Sequence, residues 1–323
     1  MRYVEMAGGR LRVSALCLGC GPVGSGLDGR ESFALLDSFV EAGGTFVDTA
    51  LVYANWLPGE RSVSEKTIGR WLRDRGLRGR VVVATKGAHP PLDRLDQARL
   101  GRADIAADLE ESLRNLRTDC IDLYWLHRDD PGRPVGEILE TLEESARAGS
   151  IRHYGCSNWR PARMREAHAY AREHGMAGFV ANQPMWSFAR PDVLRLTDRT
   201  MVAMDGEGER FHRETGTAVV PYSSQARGFL TKWERGPETV NAKLRDLYGS
   251  AENLARLERA RRVADELGTS VGTVALLYLM SSPFPAVPII GAKNPQQLRD
   301  GLAAADLSLS PAQRAYLDGG AGW

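Results

Sequence analysis

Asp48, Tyr53, Lys86 and His127 are the residues whose types and spacing suggest joint chemistry. Asp48 follows Thr45-Phe-Val, Tyr53 lies five residues on, Lys86 follows Val81-Val-Val-Ala-Thr, and His127 follows Leu123-Tyr-Trp-Leu. A phenol is a poor acid at neutrality, with a reference pKa near ~10. A nearby ammonium favours the phenolate and lowers that value, and a carboxylate holds the ammonium in place. Such a tyrosine is suited to giving a proton to a developing alkoxide. A histidine beside it can hydrogen-bond the same oxygen. Alone, Tyr53 would read as a packing residue, His127 as a satisfied core histidine and Asp48 as a turn cap. The functional reading rests on their co-occurrence with a lysine that ends an apolar strand and needs a partner.

Three consecutive strand ends must converge for these groups to meet, and the rest of the chain supplies a frame that does this. Eight short β-type runs are predicted at Ala15–Gly19, Thr45–Asp48, Val81–Thr85, Ile121–Leu126, Ile151–Ser157, Phe179–Gln183, Ala218–Tyr222 and Ala286–Ile290. Helical patterns fall between them, near 31–42, 63–75, 103–116, 134–148, 161–174, 204–215, 252–267 with 271–280, and 295–305. Leu109, Leu113 and Leu116 recur at i, i+4, i+7, one helix face. Ser62-Val-Ser-Glu65 reads as a capping box, and Pro134 and Pro161 sit where a first helical turn tolerates proline. Strands this far apart cannot be joined as hairpins but can be joined by helical crossovers, and apolar strands of this kind belong to a parallel sheet. The expected fold is α/β, a (β/α)8 TIM barrel spanning 1–323 as one catalytic domain. A hairpin is expected before it, from Arg2–Glu5 and Arg10–Val13 around Gly8-Gly9. Catalytic groups in such a barrel sit at the C-terminal ends of the strands. The long connection at about 228–250 reads as a loop over the mouth.

The chain has 323 residues, with 42 Lys+Arg against 41 Asp+Glu, a net charge of +1. The balance argues against a general nucleic-acid surface, and 43% hydrophobic residues argue against disorder of the whole chain. The most apolar stretch, Val271–Met280, is half of what a membrane crossing needs. The N-terminus lacks the apolar core of a signal peptide, so the expected location is the cytoplasm. Cys17 and Cys20 form a C-x-x-C spacing without the second pair of a zinc ribbon, so both read as small buried side chains. Gly19-Cys-Gly21-Pro-Val-Gly24 matches G-x-G-x-x-G after a strand, with Asp48 placed like a ribose carboxylate. The match fails on its physics: the helical pattern begins only near Glu31, and Pro22 has no N–H to offer a phosphate. A dinucleotide-fold 2-hydroxy acid dehydrogenase is therefore disfavoured.

Phe46-Val-Asp48-Thr-Ala-Leu-Val-Tyr53, Ala84-Thr-Lys86-Gly87 and Asp122-Leu-Tyr-Trp-Leu-His127 resemble the catalytic segments of the aldo-keto reductases. The resemblance covers nearly the whole chain. Gly155-Cys-Ser157-Asn158-Trp159 resembles the segment that holds the nicotinamide carboxamide, with Gln183 of Asn182-Gln-Pro184. Val220-Pro-Tyr222-Ser223 resembles the strand-seven segment whose aromatic stacks on the nicotinamide. Pro288-Ile-Ile290-Gly291-Ala-Lys293 with Gln296-Gln297-Leu298 resembles the adenosine-phosphate segment. What this implies is an NADPH-dependent carbonyl reductase, with Tyr53 as proton donor, Lys86 and Asp48 tuning it, and His127 polarising the carbonyl. The implied cofactor contacts are Gly19, Cys20, Ser157, Asn158, Gln183, Tyr222, Ser223, Ser224, Gln225, Ala226, Arg227, Ile290, Gly291, Lys293, Gln297 and Asp300. No metal is implied. Departures fall at Ser224 and Gln225, where the family has proline and leucine, at Ala226 for glycine, and at Asp300-Gly301 for Glu-Asn.

Trp56, His89, Trp125, Trp159 and Trp186 fall near the mouth, where core packing and substrate contact compete; Trp56, His89 and Trp186 follow the strand ends closely enough to be taken as substrate contacts. Aromatic faces mixed with polar donors suit a keto-sugar or aldose, with a simple aliphatic or aromatic aldehyde as the alternative. The expected partner is a small-molecule carbonyl compound, not nucleic acid or membrane; the oligomeric state is open. The competing reading is a non-catalytic NADPH-binding subunit or sensor on the same fold.

Overall fold

Alternation along the short strands decides which residues line the barrel and which face its helices. The computed structural model describes residues 1–320. Strands β1 (Tyr3–Met6) and β2 (Leu11–Ser14) pair antiparallel, the expected hairpin. Then come β3 (Cys17–Gly19), β4 (Phe46–Asp48), β5 (Val82–Gly87), β6 (Ile121–Leu126), β7 (Ile151–Ser157), β8 (Ala181–Gln183), β9 (Ala218–Val219) and β10 (Ile289–Gly291). All eight run parallel, in the order β10-β3-β4-β5-β6-β7-β8-β9. The Val219 N–H donates to Pro285 O at 2.8 Å, Val287 N–H to Val219 O at 2.8 Å and Ile289 N–H to Pro221 O at 3.0 Å. These bonds join β9 to the approach of β10 and close a (β/α)8 barrel.

Cys17, Phe46, Ala84, Leu123, Trp125, Ala181 and Val287 fill the barrel interior, and Met6, Leu11 and Val13 of the hairpin pack against them. The alternate residues Leu18, Val47, Val83, Tyr124, Leu126 and Cys156 face outward into the layer of helices. The same parity that sends Phe46, Ala84, Leu123 and Ala181 inward sends Asp48, Lys86, Trp125 and Gln183 inward too. Cys17 and Cys20 are free, buried thiols, and burial pushes both pKa values up. No single helix among the described residues is long and apolar enough to cross a membrane.

Three local expectations are corrected. Ser62 adopts a left-handed backbone and makes no capping bond; its hydroxyl donates to Leu51 O. Glu65 is fully buried instead, accepting from Thr85 Oγ1 at 2.6 Å and Asn115 Nδ2 at 2.9 Å, so it ties the helix Val63–Arg75 to β5 and to the helix Arg102–Leu116. Pro134 sits at the N-cap, one residue before the helix Val135–Arg147. The 228–250 connection is folded: helices Phe229–Arg235 and Ala242–Tyr248 flank a 3-10 turn, and Phe229, Leu230, Leu244, Leu247 and Tyr248 are buried in a second core. Its charges had masked that apolar content.

The Glu65 bridge has a measurable consequence. A cap residue costs about 1 kcal/mol when truncated, whereas a buried acceptor leaves two donors unpaired. Glu65→Ala is expected to lower unfolding stability by about 2–4 kcal/mol in urea titrations. A loss below about 1 kcal/mol would restore the capping-box reading.

Candidate active site

The β4–β5 ladder continues past β4 and thereby places Tyr53. Thr49 N–H donates to Ala84 O at 2.9 Å and Leu51 N–H to Lys86 O at 3.0 Å, after which Tyr53 N–H turns back to Ala50 O. His127 N–H likewise donates to Gly87 O at 3.0 Å, extending the β5–β6 ladder by one residue. The four predicted groups meet at the C-terminal end of the barrel. Lys86 Nζ donates to Asp48 Oδ2 at 2.5 Å, Thr49 O at 2.7 Å and Tyr53 Oη at 3.0 Å. Asp48 and Lys86 are each 1% exposed. The Tyr53 and His127 rings stand edge to face with centroids 6.1 Å apart, and His89 stands against His127 at 4.7 Å.

Burial, the Asp48 charge and two hydrogen bonds act together on Lys86. Burial opposes the ammonium, but Asp48 and Tyr53 outweigh it and hold the pKa above the usual lysine value. Tyr53 departs from expectation. Burial raises its pKa and Asp48 adds to the rise; Lys86 lowers it, yet the balance stays above the usual phenol value. The lysine offsets a cost of burial that the sequence does not display. His127 is driven well below the ordinary histidine range by burial, then by Arg128, His89 and Lys86. Burial and Arg128 also pull His89 down, to about 4.

The residues expected at the nicotinamide form one connected set. Asn158, held in a left-handed backbone, donates from Nδ2 to His127 O at 3.2 Å and Ser157 Oγ at 3.0 Å. Its Oδ1 accepts from Tyr222 Oη at 2.7 Å and Val202 N–H at 3.0 Å. Ser157 Oγ donates to Gln183 O at 2.8 Å, and Gln183 Nε2 donates to Asp48 Oδ1 at 3.0 Å. Gly19 pairs with Asp48 across β3 and β4. Beyond β9, Ser223, Ala226 and Arg227 adopt left-handed backbones; Ser223 and Gln225 are half-buried and Arg227 is exposed. Gly291, Lys293, Gln297 and Asp300 are exposed around the start of the helix Pro295–Leu302, where Gln297 Oε1 accepts from Lys293 N–H at 2.9 Å and Asp300 from Gln296.

Several side chains lie elsewhere. The Cys20 thiol is buried in the outer core, its N–H bonded to Asp48 O and its carbonyl to Ser64 Oγ. Ile290 is buried in the same core, Ala226 is buried, and Ser224 Oγ donates to Ile289 O at 2.5 Å. Trp56 is 57% exposed, its ring 6.2 Å from that of Tyr53. Trp186 is 6% exposed and packs on Phe284 in the second core, which leaves little of its ring free for a ligand. Trp159 is also core, against Phe179. Sequence reasoning passed over Arg128, although it directly follows His127. Its guanidinium donates to His127 O at 2.8 Å, Thr200 Oγ1 at 2.7 Å and Asp198 Oδ2 at 2.9 Å, fastening the end of β6 to the loop after β8.

A sequence model of the Aldo/keto reductase family matches residues 15–320. The chain belongs to the aldo/keto reductase family. The Bacillus subtilis protein named uncharacterized oxidoreductase YrpG is 34% identical over 317 residues, covering 96% of this chain and 92% of that one. The aryl-alcohol dehydrogenase [NADP(+)] of Phanerodontia chrysosporium is 30% identical over 319 residues, covering 92% and 78%. In fold, the chain is similar to a thermostable aldo-keto reductase crystallised with the inhibitor epalrestat: TM-score 0.73, 24% identity, 99% of each chain covered.

In this aldo/keto reductase a cationic His127 is disfavoured from every side. Its pKa lies well below 6.5, so the imidazole stays neutral as pH falls through that value. The His127 ring-proton resonance is expected to stay flat by NMR from about pH 8 to pH 5.5. A sigmoidal change centred near ~6.5 would contradict the geometry.

Proposed function

We propose that the chain is an NADPH-dependent reductase of aromatic aldehydes or ketones, acting in the cytoplasm. As an aldo/keto reductase it is an oxidoreductase of carbonyl compounds. The observation that carries the catalytic reading is the contact of Tyr53 Oη with Lys86 Nζ at 3.0 Å, beside a lysine paired with Asp48 at 2.5 Å. Tyr53 holds the proton that goes to the carbonyl oxygen. The Lys86 ammonium stabilises the phenolate left behind, which solvent then reprotonates. Neutral His127 hydrogen-bonds the carbonyl oxygen and orients it.

The residues present fit the cofactor. The Tyr222 hydroxyl is tied to Asn158 at 2.7 Å, which fixes its ring at the end of the β9 run. A Cβ at Gly291 would meet nothing within 4 Å, so the backbone there is open to a ligand. Lys293 is exposed, just before the Asn294 cap of the helix Pro295–Leu302. A cation beside helix N–H groups suits a 2′-phosphate. When bound, NADPH supplies the hydride.

Two observations favour an aryl carbonyl over a sugar. Trp186 is withdrawn into the core, which removes one of the stacking faces the sugar reading used. The loops after β4 and β5 instead expose Trp56, Leu57 and Leu92. Of these, Trp56 stands against the Tyr53 ring, and an exposed aromatic face beside the reacting group favours an apolar ligand. The aryl-alcohol dehydrogenase among the relatives agrees with this choice.

Tyr53→Phe is expected to lower reduction of the best carbonyl substrate by about 10²-fold or more, with the NADPH dissociation constant unchanged within about twofold. Near-parent turnover would remove Tyr53 as the acid and favour a binding subunit. The parent is expected to bind NADPH more tightly than NADH, and Lys293→Ala to erode the difference by about 1–3 kcal/mol. Equal dissociation constants in the parent would refute the cofactor choice. Across a substrate panel, aromatic aldehydes are expected to exceed every aldose and keto-sugar in kcat/KM, with Trp56→Ala reducing the margin; the reverse order would reinstate the sugar.

A further inference from the structure

The Asp48 carboxylate receives three donors from three different strands. Lys86 of β5 takes Oδ2 at 2.5 Å. The other oxygen, Oδ1, accepts from Gln183 Nε2 of β8 at 3.0 Å and from the Trp125 indole Nε1 of β6 at 3.1 Å. Trp125 is fully buried in the barrel interior. It pairs with Lys86 in the β5–β6 register and with Gly155 in the β6–β7 register. A Cβ at Gly155 would lie 2.5 Å from Trp125 Cζ3 and 2.6 Å from Ala181 O. The glycine therefore leaves the space across which the indole lies. The strand between β4 and β6 is β5, so Trp125 reaches past one strand to a carboxylate it does not adjoin. A phenylalanine could fill much of that volume but could not donate.

We propose that Trp125 is a positioning residue of the catalytic centre: its indole N–H holds Asp48 Oδ1 so that Oδ2 faces Lys86, and through Lys86 it sets the acidity of Tyr53. This rests on Tyr53 being the proton donor. A buried carboxylate whose lone pairs are met by neutral N–H dipoles is partly offset without consuming the ammonium. If the indole N–H is removed, Oδ1 keeps one donor and the uncompensated negative charge rises. Asp48 then offsets more of the Lys86 charge felt at Tyr53, and the phenolate becomes harder to form. Oxidation of an alcohol, with NADP+ supplied as the hydride acceptor, gives the O–H proton to the Tyr53 phenolate as base, so its rate rises with pH through the Tyr53 ionisation. That ionisation must move upward when the donor is lost.

The test uses Trp125→Phe together with a protein carrying 3-benzothienylalanine at 125, which keeps the bicyclic shape and replaces the N–H with sulfur. The pH profile of kcat for aryl-alcohol oxidation is measured in both and in the parent. The rising limb is expected to shift up by about 0.5–1 pH unit in both variants, with a fall of about three- to tenfold in kcat near pH 8 and little change in KM for cofactor. In the cofactor-free parent, a ¹⁵N-resolved indole N–H signal that disappears in Trp125→Phe is expected to resist exchange with D2O, as a buried donor must. If Trp125→Phe does not fold, the isosteric variant decides the matter alone. A limb at the parent pH in the isosteric variant, or an indole N–H that exchanges freely, would overturn the proposal. Failure of the Tyr53 reading shows differently, as retained carbonyl reduction in Tyr53→Phe.

Discussion

The ion pair between Asp48 and Lys86 is the constraint around which this barrel is arranged. Two charges taken out of water cost several kcal/mol each after relaxation, and their attraction repays that only when the remaining hydrogen-bonding capacity is also met. Here it is met on both sides. The ammonium has Asp48, Thr49 O and Tyr53 Oη; the carboxylate has Lys86, Trp125 and Gln183. Removing one partner of such a pair strands the other, so the pair resists piecemeal change. The tyrosine hydroxyl shares that compensation, which binds the chemistry to the fold.

The barrel architecture makes this arrangement possible. Parallel strands with period-two alternation send Asp48, Lys86, Trp125 and Gln183 inward near the same end. Only a closed ring of strands brings β4, β5, β6 and β8 within reach of one carboxylate. Extension of the ladders beyond β4 and β5, through Thr49, Leu51 and His127, carries Tyr53 and His127 to that end with backbone bonds in place. Arg128 then locks β6 to the loop after β8 through Asp198 and Thr200, and the same loop supplies the Val202 N–H that holds Asn158. Ser157, Asn158, Gln183 and Tyr222 are thus joined with Asp48, Lys86 and Tyr53 in one hydrogen-bonded body.

Much of this was legible in the sequence. The eight apolar runs and their spacing are local signals, and the strand ends they mark are where Asp48, Lys86 and His127 fall. What was not legible depends on neighbours distant in the chain. Ser62-x-x-Glu65 has the spacing of a capping box, but Glu65 is claimed by Thr85 and Asn115, which no local pattern reveals. Trp186 follows a strand end closely, yet its direction is set by Phe284 nearly a hundred residues later. The acidity of Tyr53 turns on the balance between burial and the lysine, and burial is a property of the folded chain alone. Trp125 could be placed inside by parity, but its donation to Asp48 depends on the space left by Gly155.

The charged Lys86, held by Asp48, keeps Tyr53 ionisable despite its burial. The most direct measurement is the phenolate absorbance of Tyr53 in the cofactor-free protein, isolated by difference against Tyr53→Phe, in the parent and in Lys86→Met. The ionisation is expected to move at least about one pH unit higher when the lysine charge is removed. An ionisation at the same pH in both proteins would contradict it.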